Sequence, residues 1–131
     1  MHIVLDSCAL LAYLLDETEA DQMERLLLEA GKKKHLLFLS VLQYGEVLYT
    51  CENLKGETYR LRAQEFLSKA PISIIPANQE QANLAAAFKA RGGIAYPDCF
   101  ALALATLRKA TLVTKDREFR KFAKDVKIRW L

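Results

Sequence analysis

Short apolar runs alternate with longer stretches of helical periodicity along the whole chain. Runs of strand length cover residues 2–5, 36–39, 72–75 and 111–113, and residues 126–130 suggest a last edge strand. Helical patterns cover residues 7–15, 18–30, 41–53, 57–69, 79–91 and 98–107, with a short helix near 117–122. Strands that alternate with helices predict a three-layer α/β/α sandwich around a parallel sheet of four to five strands.

Two of the helical stretches have distinctive patterns. The stretch 98–107 is apolar nearly all round and follows Pro97, which favours a buried helix that begins near this proline. The stretch 41–53 is amphipathic. Its predicted apolar face holds Tyr44, Val47, Leu48, Cys51 and Leu54, and its predicted polar face holds Gln43, Glu46, Thr50 and Asn53.

Length and composition indicate one globular domain over residues 1–131. Hydrophobic residues make up 52% of the chain and charged residues 27%, a balance typical of folded proteins. The formal net charge of +3 is only a weak bias toward polyanions. The chain opens on a strand-like run rather than a secretory signal, and no apolar run reaches the length of a membrane span. We therefore expect a soluble, cytoplasmic protein whose three widely spaced cysteines are buried thiols.

Four acidic residues are placed where the chemistry of such a sheet is usually found. Asp6 follows the first strand directly, and Asp116 follows the fourth strand. Glu46 lies in the first turns of the helix after the second strand, and Asp98 opens the buried helix. Right-handed crossovers bring the carboxyl ends of parallel strands to one edge, where ligands bind in open α/β sheets. The four side chains could therefore meet in one crevice.

Clustered carboxylates favour a divalent cation, because like charges repel one another without one. Hard oxygen ligands suit Mg²⁺ or Mn²⁺, and such a centre can hold a phosphodiester and activate water for in-line attack. The chain has no GxSxG motif and no P-loop. His2 and His35 border apolar runs, a position that favours structural or solvated roles.

Each of these polar residues also has a purely structural interpretation. Asp6, Asp98 and Asp116 stand near helix starts, where aspartate is a favoured cap. Glu46 could be a solvated residue on the polar face of its helix. The hydroxyls of Ser7 and Thr114 could support the acidic cluster or could cap helices.

Basic residues and two helices are candidates for contacts with other molecules. Lys115, Arg117, Arg120 and Lys121 follow one another closely around Asp116. They could hold the backbone of an RNA beside the metal or could only offset nearby acids. The helices at 18–30 and 57–69 carry apolar faces that could pack on a partner, on a second copy or on the sheet.

Four segments together resemble the PIN-domain family. The segment 3–11, IVLDSCALL, is similar to the opening strand and first aspartate of PIN domains, and the segment 40–47, SVLQYGEV, to the part that carries their glutamate. The segment 96–103, YPDCFALA, resembles the third acidic motif, although Cys99 stands where many relatives have a small residue such as alanine. The segment 112–119, LVTKDREF, resembles the T-x-D-x-x-F motif. The order and spacing of these segments also resemble the family, and the branch that they resemble most is that of the VapC-type toxins.

The resemblance implies a PIN-like fold and an Mg²⁺- or Mn²⁺-dependent endoribonuclease that leaves a 5′-phosphate and a 3′-hydroxyl. It implies that Asp6, Glu46, Asp98 and Asp116 bind the metal, that Thr114 holds the site in shape and that Ser7 assists. It also implies a homodimer and a small antitoxin partner that blocks the site. The RNA that is cut and the number of metal ions are not implied.

Two other classes of protein compete with this interpretation. A non-catalytic module with the same fold would bind RNA or protein, and loss of an acid would favour it; all four acids are present. A phosphatase of the haloacid dehalogenase type would need a second aspartate two residues after Asp6, where Cys8 stands. A phosphoreceiver would need two adjacent acids, but Leu5 and Ser7 flank Asp6.

Overall fold

The computed structural model describes residues 1–131, and it has five strands and six α-helices. The strands are β1 (His2–Leu5), β2 (Leu36–Ser40), β3 (Ile72–Ile75), β4 (Thr111–Thr114) and β5 (Ile128–Trp130). The α-helices are α1 (Ser7–Leu14), α2 (Ala20–Gly31), α3 (Val41–Lys55), α4 (Glu57–Lys69), α5 (Gln79–Ala90) and α6 (Tyr96–Arg108). A 3₁₀ helix spans Arg117–Phe122.

All five strands form one parallel sheet in the order β3-β2-β1-β4-β5. The predicted parallel sheet is confirmed, and β5 is the edge strand expected from the sequence. The chain builds outward from β1 through β2 to β3 and then returns to the other side of β1 with β4. This reversal of direction between β1 and β4 opens a crevice at the carboxyl edge of the sheet, which is the usual ligand position in this class of fold.

The two faces of the sheet are covered by separate apolar layers. Because side chains alternate along a strand, Val4, Phe38 and Leu112 face α5 and α6, and Ile3, Leu5 and Val113 face the layer formed by α1 to α4. The predicted three-layer α/β/α arrangement is therefore confirmed. Burial of these two layers is the main source of stability of the fold.

Helix α6 is the central buried helix, as the sequence predicted. Every residue from Asp98 to Ala105 is buried. Pro97 lies in its first turn, where a missing N–H is harmless, and Lys109 ends the helix in the left-handed conformation with φ of 50°. Asp98 is thus held at the start of a rigid, buried element.

Helix α3 departs from the predicted division into an apolar and a polar face. Gln43, assigned to the polar face, is fully buried, whereas Leu54, assigned to the apolar face, is 64% exposed. The reason is that the first turns of α3 pack between α1 and α6, so that both sides of the helix are covered there. A single helical stripe cannot describe a helix whose surroundings change along its length.

None of the helices is both long enough and apolar enough to cross a membrane.

Candidate metal centre

Asp6 links the end of β1 to the start of α1. Its side chain is 1% exposed, and its Oδ1 accepts a hydrogen bond from the backbone N–H of Ala9 at 2.9 Å, which caps α1. The thiol of Cys8 donates to the same carboxylate, with Sγ 3.0 Å from Oδ1. The capping role considered for Asp6 is therefore real, and it fixes the carboxylate at the carboxyl edge of the sheet.

Thr114 joins Asp6 to Asp116 across the two central strands. Its hydroxyl is fully buried, donates to Asp6 Oδ2 at 2.6 Å and accepts from the backbone N–H of Asp116 at 2.9 Å. Asp116 Oδ1 in turn accepts from the backbone N–H of Glu118 at 3.0 Å and caps the 3₁₀ helix. Between the two roles weighed for Thr114, the geometry favours support of the acidic cluster.

Glu46 is held by Ser7 rather than left free in solvent. The Ser7 hydroxyl donates to Glu46 Oε1 at 2.7 Å, and Glu46 is half-buried. Ser7 therefore contacts an acid of the cluster, and its hydroxyl caps no helix. This contact brings α3 to the end of β1.

Asp98 is buried in the first turn of α6 and is not a helix cap, because the capping position is Ala95. Its Oδ1 accepts a hydrogen bond from the side-chain amide Nε2 of Gln43 at 2.9 Å. The other end of the same amide, Oε1, accepts from the backbone N–H of Ser7. A buried glutamine thus connects Asp98 to the segment that carries Asp6.

The four carboxylates influence one another electrostatically. Burial raises the pKa of Asp98 to about 7, and the charges of Asp6, Glu46 and Asp116 add to this rise, while the Gln43 hydrogen bond opposes it. Burial also raises the pKa of Asp6 to about 6, against the hydrogen bonds from Thr114, Cys8 and Ala9, and the charge of Asp116 contributes to the rise. None of these four carboxylates forms an ion pair with a lysine or an arginine of this chain.

A fifth acid, Glu118, lies close to Asp98 and Asp116, and these three form a group to which Asp6 and Glu46 do not belong. Carboxylate oxygens of Asp98, Asp116 and Glu118 lie within 4.8 Å of one another, close enough to share one cation. Glu118 is exposed, and it stands two residues after Asp116 in the turn that Asp116 caps. Glu118 was not among the predicted ligands, although it lies inside the segment that resembles the T-x-D-x-x-F motif.

This donor set fits a hard divalent cation. Every candidate ligand is a carboxylate oxygen, the type that Mg²⁺ and Mn²⁺ prefer, and no histidine belongs to the group. The raised pKa values of Asp6 and Asp98 indicate buried negative charge that a cation would compensate. The nearby thiol of Cys8 is not a competing ligand, since burial raises its pKa to about 12 and keeps it protonated.

A basic cleft of about 790 Å³ opens beside the cluster. It is lined by Asp116 and Glu118 together with Lys89, Arg117, Arg120, Lys121 and the loop 93–95. Gly93 has a φ of +78°, and a Cβ at this position would collide with the Lys121 side chain. The glycine therefore lets Lys121 lie against the loop at the wall of the cleft.

The four candidate RNA-contacting residues are not equivalent. Arg120 and Lys121 line the cleft and form no ion pair, and the Arg117 guanidinium lies 4.7 Å from the centre of the Trp130 ring while it lines the same cleft. Lys115 is different, because its ammonium is bound by Glu17 at 2.7 Å and by Glu19 at 2.9 Å. These two carboxylates raise the pKa of Lys115 and neutralise the positive charge of its ammonium group.

The structure therefore defines an α/β protein with an acidic, cation-attracting crevice at the carboxyl edge of its sheet. The family model described as "PIN domain" matches residues 3–125, nearly the whole chain. This chain belongs to the PIN-domain family.

Its similar relatives include named ribonucleases. It is 29% identical over 125 residues to Ribonuclease VapC30 of Mycobacterium tuberculosis, covering 90% of this chain and 92% of that protein. It is 28% identical over 125 residues to Ribonuclease VapC of Mycolicibacterium smegmatis, covering 90% of this chain and 94% of that protein.

Solved structures share the fold at lower sequence identity. The structure of VapBC2 from Rickettsia felis, bound to a DNA fragment from its promoter, superposes with a TM-score of 0.76 at 18% identity, covering 98% of each chain. The toxin VapC20 of Mycobacterium tuberculosis, described as cleaving the sarcin-ricin loop, superposes with a TM-score of 0.75 at 13% identity, covering 91% of this chain and 93% of that one. At these identities the similarity establishes the fold.

Proposed function

We propose that this protein is a divalent-metal-dependent endoribonuclease and the toxin of a type II toxin–antitoxin pair. The observation that carries the proposal is the position of Asp98, a buried carboxylate on which the charges of Asp6, Glu46 and Asp116 all act. Similarity to two VapC ribonucleases over 90% of the chain supports the choice of RNA as substrate.

The residues have distinct roles in this proposal. Asp98, Asp116 and the exposed Glu118, whose carboxylate oxygens lie close together, hold Mg²⁺ or Mn²⁺. Asp6 and Glu46, whose charges act on Asp98, complete the set of ligands. Thr114 fixes Asp6 and the backbone at Asp116, and Ser7 fixes Glu46. Arg120, Lys121 and Arg117 hold the phosphate backbone in the basic cleft, whereas Lys115 is committed to Glu17 and Glu19.

The bound cation would supply Lewis-acid stabilisation of the negative charge that develops on the phosphodiester during hydrolysis. The chain itself supplies a rigid frame, because the candidate ligands stand on strand ends and helix starts of a packed sheet. The basic cleft beside these ligands would orient the substrate across them.

The test is metal-dependent cleavage of RNA by the purified protein. Wild-type protein free of any antitoxin is incubated with Mn²⁺ and a varied pool of RNAs, next to Asp98→Asn and a control, Asp21→Asn, at an exposed position on α2. We expect cutting by wild type and by the control, and none by Asp98→Asn. Cutting by Asp98→Asn at the wild-type rate would contradict the enzyme proposal. RNA binding without cutting at any metal concentration would favour the non-catalytic module instead.

We also propose that the small antitoxin packs on α1, α2 and α4. A groove of about 540 Å³ there is lined by six largely apolar residues and four charged ones: Tyr13, Leu27, Leu28, Phe66, Ala70, Pro71, Glu24, Arg62, Glu65 and Lys69. Leu28 is 61% exposed and so presents apolar surface to a partner at this groove. A structure from Klebsiella pneumoniae that shares the fold is described as a toxin–antitoxin complex, and one from Mycobacterium tuberculosis as a member of the VapBC family of toxin–antitoxin systems, which supports an antitoxin as the occupant.

Co-expression with the small protein encoded by the neighbouring reading frame tests this surface. Leu28→Glu is expected to abolish co-purification of the two proteins. Leu61→Glu, at another exposed leucine that lies on α4 outside the groove, is expected to leave it unchanged. Equal co-purification with both variants would place the partner elsewhere.

Three further expectations stay proposals. We propose that residues 1–131 act as one domain, which the single sheet from β1 to β5 supports. We propose a homodimer, which the exposed side chains of Tyr49 and Leu54 on α3 support. We propose a cytoplasmic location, which the three free cysteines support.

A further inference from the structure

Gln43 makes two hydrogen bonds in the interior of the protein. Its side-chain Oε1 accepts from the backbone N–H of Ser7, and its Nε2 donates to Asp98 Oδ1 at 2.9 Å. The residue is fully buried. It therefore belongs to the packed interior behind the acidic cluster and touches neither solvent nor the open cleft.

The direction of this amide is fixed by its partners. A backbone N–H can only donate, so the amide atom that faces Ser7 must be the oxygen. The NH₂ group must then face Asp98, whose carboxylate can accept its hydrogen bond. A glutamate at this position would present an acceptor to Asp98, and an apolar residue would leave the Ser7 N–H without a partner.

The amide connects three elements that carry the candidate ligands. Gln43 stands on α3 one turn before Glu46, and both residues hold Ser7, one through its N–H and the other through its hydroxyl. Ser7 adjoins Asp6 at the end of β1, and Asp98 stands on α6. One buried side chain thus sets the spacing between α1, α3 and α6 at the cluster.

We propose that Gln43 is a positioning residue of the metal centre: its amide holds Asp98 by Oδ1 and leaves Oδ2 free to bind a divalent cation. This inference rests on the proposed function, because it needs a cation at the cluster. No protein group donates to Asp98 Oδ2, whereas both oxygens of Asp6 accept hydrogen bonds. The orientation of the Asp98 carboxylate therefore depends on Gln43 alone among the protein's hydrogen-bond donors, just as that of Glu46 depends on Ser7.

A pair of buried glutamines offers a matched experiment. Gln81 on α5 is also buried, and its Nε2 donates to the carbonyl of Pro76 rather than to any acid of the cluster. Replacement of either residue by methionine keeps an unbranched side chain of similar length and removes the amide. The two variants therefore lose a comparable buried polar group, but only Gln43→Met loses a contact with Asp98.

The readout is the Mn²⁺ dissociation constant, measured by electron paramagnetic resonance of the free ion. We expect Gln43→Met to raise it about 10- to 100-fold, the usual effect of losing a group that orients a metal ligand. Gln81→Met should leave it unchanged, and circular dichroism should show both variants folded. An unchanged constant in Gln43→Met, or an equal rise in Gln81→Met, overturns the inference and leaves the proposed function standing. Absence of Mn²⁺ binding by wild type overturns both.

A measurement on wild type keeps the test decisive if Gln43→Met does not fold. In an amide NMR spectrum, Mg²⁺ titration should shift the side-chain NH₂ resonances of Gln43, because the carboxylate that they contact becomes coordinated. The NH₂ resonances of Gln81 should stay in place. A Gln43 signal that does not move while Mg²⁺ saturates the protein overturns the inference.

Discussion

Two aspartates in different regions of this protein have opposite environments. On the surface, Asp125 accepts two hydrogen bonds from the Arg91 guanidinium, at 2.9 and 3.0 Å, and this partner lowers the pKa of Asp125. In the crevice, Asp98 is buried beside three other carboxylates and has only the neutral amide of Gln43, so that its pKa rises to about 7. Asp125 thus forms an ion pair with an arginine of the same chain, whereas Asp98 has no positively charged side chain as a partner.

This difference separates an acid with a structural partner from an acid that is a candidate metal ligand. An ion pair at the surface needs nothing from outside, although it contributes little to stability. A buried group of carboxylates without a cation costs folding free energy, and the fold retains it at the point where the strand order reverses. Such a cost at a ligand-binding position is a sign of a binding site.

The sharpest test of the contrast compares the two aspartates in metal binding. Asp98→Asn is expected to weaken Mn²⁺ binding more than about 100-fold, because loss of a ligand exceeds the usual 10- to 100-fold cost of losing a supporting residue. Asp125→Asn should leave the affinity unchanged, since its carboxylate belongs to Arg91. Isothermal titration calorimetry measures both. An equal effect of the two substitutions would contradict the distinction drawn here.

The same substitutions should change stability in opposite directions when metal is absent. At pH 8, Asp98→Asn is expected to stabilise the metal-free protein by roughly 2–4 kcal/mol. It removes a charge whose pKa burial raises from 3.8 to about 7; one pKa unit corresponds to about 1.4 kcal/mol, and solvent screening reduces the sum. Asp125→Asn should destabilise slightly through loss of its pair with Arg91. Chemical denaturation in a chelating buffer provides the measurement. A destabilised Asp98→Asn would show that its charge is already compensated.

The acidic crevice should also give stability a distinctive pH dependence. In the folded state the pKa of Asp6 is about 6 and that of Asp98 about 7, both above the ordinary value of 3.8. At a pH between 3.8 and these values, the folded state therefore binds more protons than the unfolded state. Their contribution to stability is therefore complete below pH 4 and is lost as pH rises through 6 and 7. We expect the Tm of metal-free protein to fall between pH 5 and pH 8. Asp125 contributes in the opposite sense, because its lowered pKa adds stability above the ordinary value of 3.8.

Added Mg²⁺ should reverse this trend. Binding to the ionised cluster stabilises the folded state more strongly at pH 8 than at pH 5, because the carboxylates must be deprotonated to bind. Thermal unfolding with Mg²⁺ and with a chelator at each pH provides the comparison. A Mg²⁺ effect of the same size at both values would indicate binding outside the cluster.

A smaller effect should separate the paired and the unpaired basic residues near Asp116. Arg120→Met, in the cleft, is expected to weaken RNA binding. It should also reduce the slope of the logarithm of the binding constant against the logarithm of the salt concentration by about one. Lys115→Met should change the slope little, because Glu17 and Glu19 already hold its ammonium. Each substitution is combined with Asp98→Asn, which is expected to prevent cutting, and RNA binding is then measured at a series of salt concentrations. Equal slopes for the two variants would mean that Lys115 leaves its carboxylates to contact RNA.

The fold was largely predictable from the sequence because the buried apolar residues of most helices and strands follow the regular spacing of those elements. The strands at 2–5 and 72–75 and the helix at 57–69 have the bounds that the pattern indicated. The placement of Asp6 and Asp116 at the same edge of the sheet also followed from topology, since parallel strands end at one edge. Their roles as metal ligands stay a prediction.

The parts that pattern analysis missed depend on contacts between distant elements. The burial of Gln43 arises because α1 and α6 cover the first turns of α3, and no periodicity within residues 41–53 contains that information. The pairing of Lys115 with Glu17 and Glu19 joins residues about one hundred positions apart. Glu118 had a local signal, its place in the turn capped by Asp116, but an exposed acid is common without a ligand.

The most direct test of a divalent cation in this crevice is a crystal grown or soaked with Mn²⁺ and measured at the manganese absorption edge. We expect an anomalous peak within about 2.5 Å of carboxylate oxygens of Asp98 and Asp116, with Asp6 and Glu46 around it. A well-ordered crystal at saturating Mn²⁺ with no peak among these side chains would contradict the account.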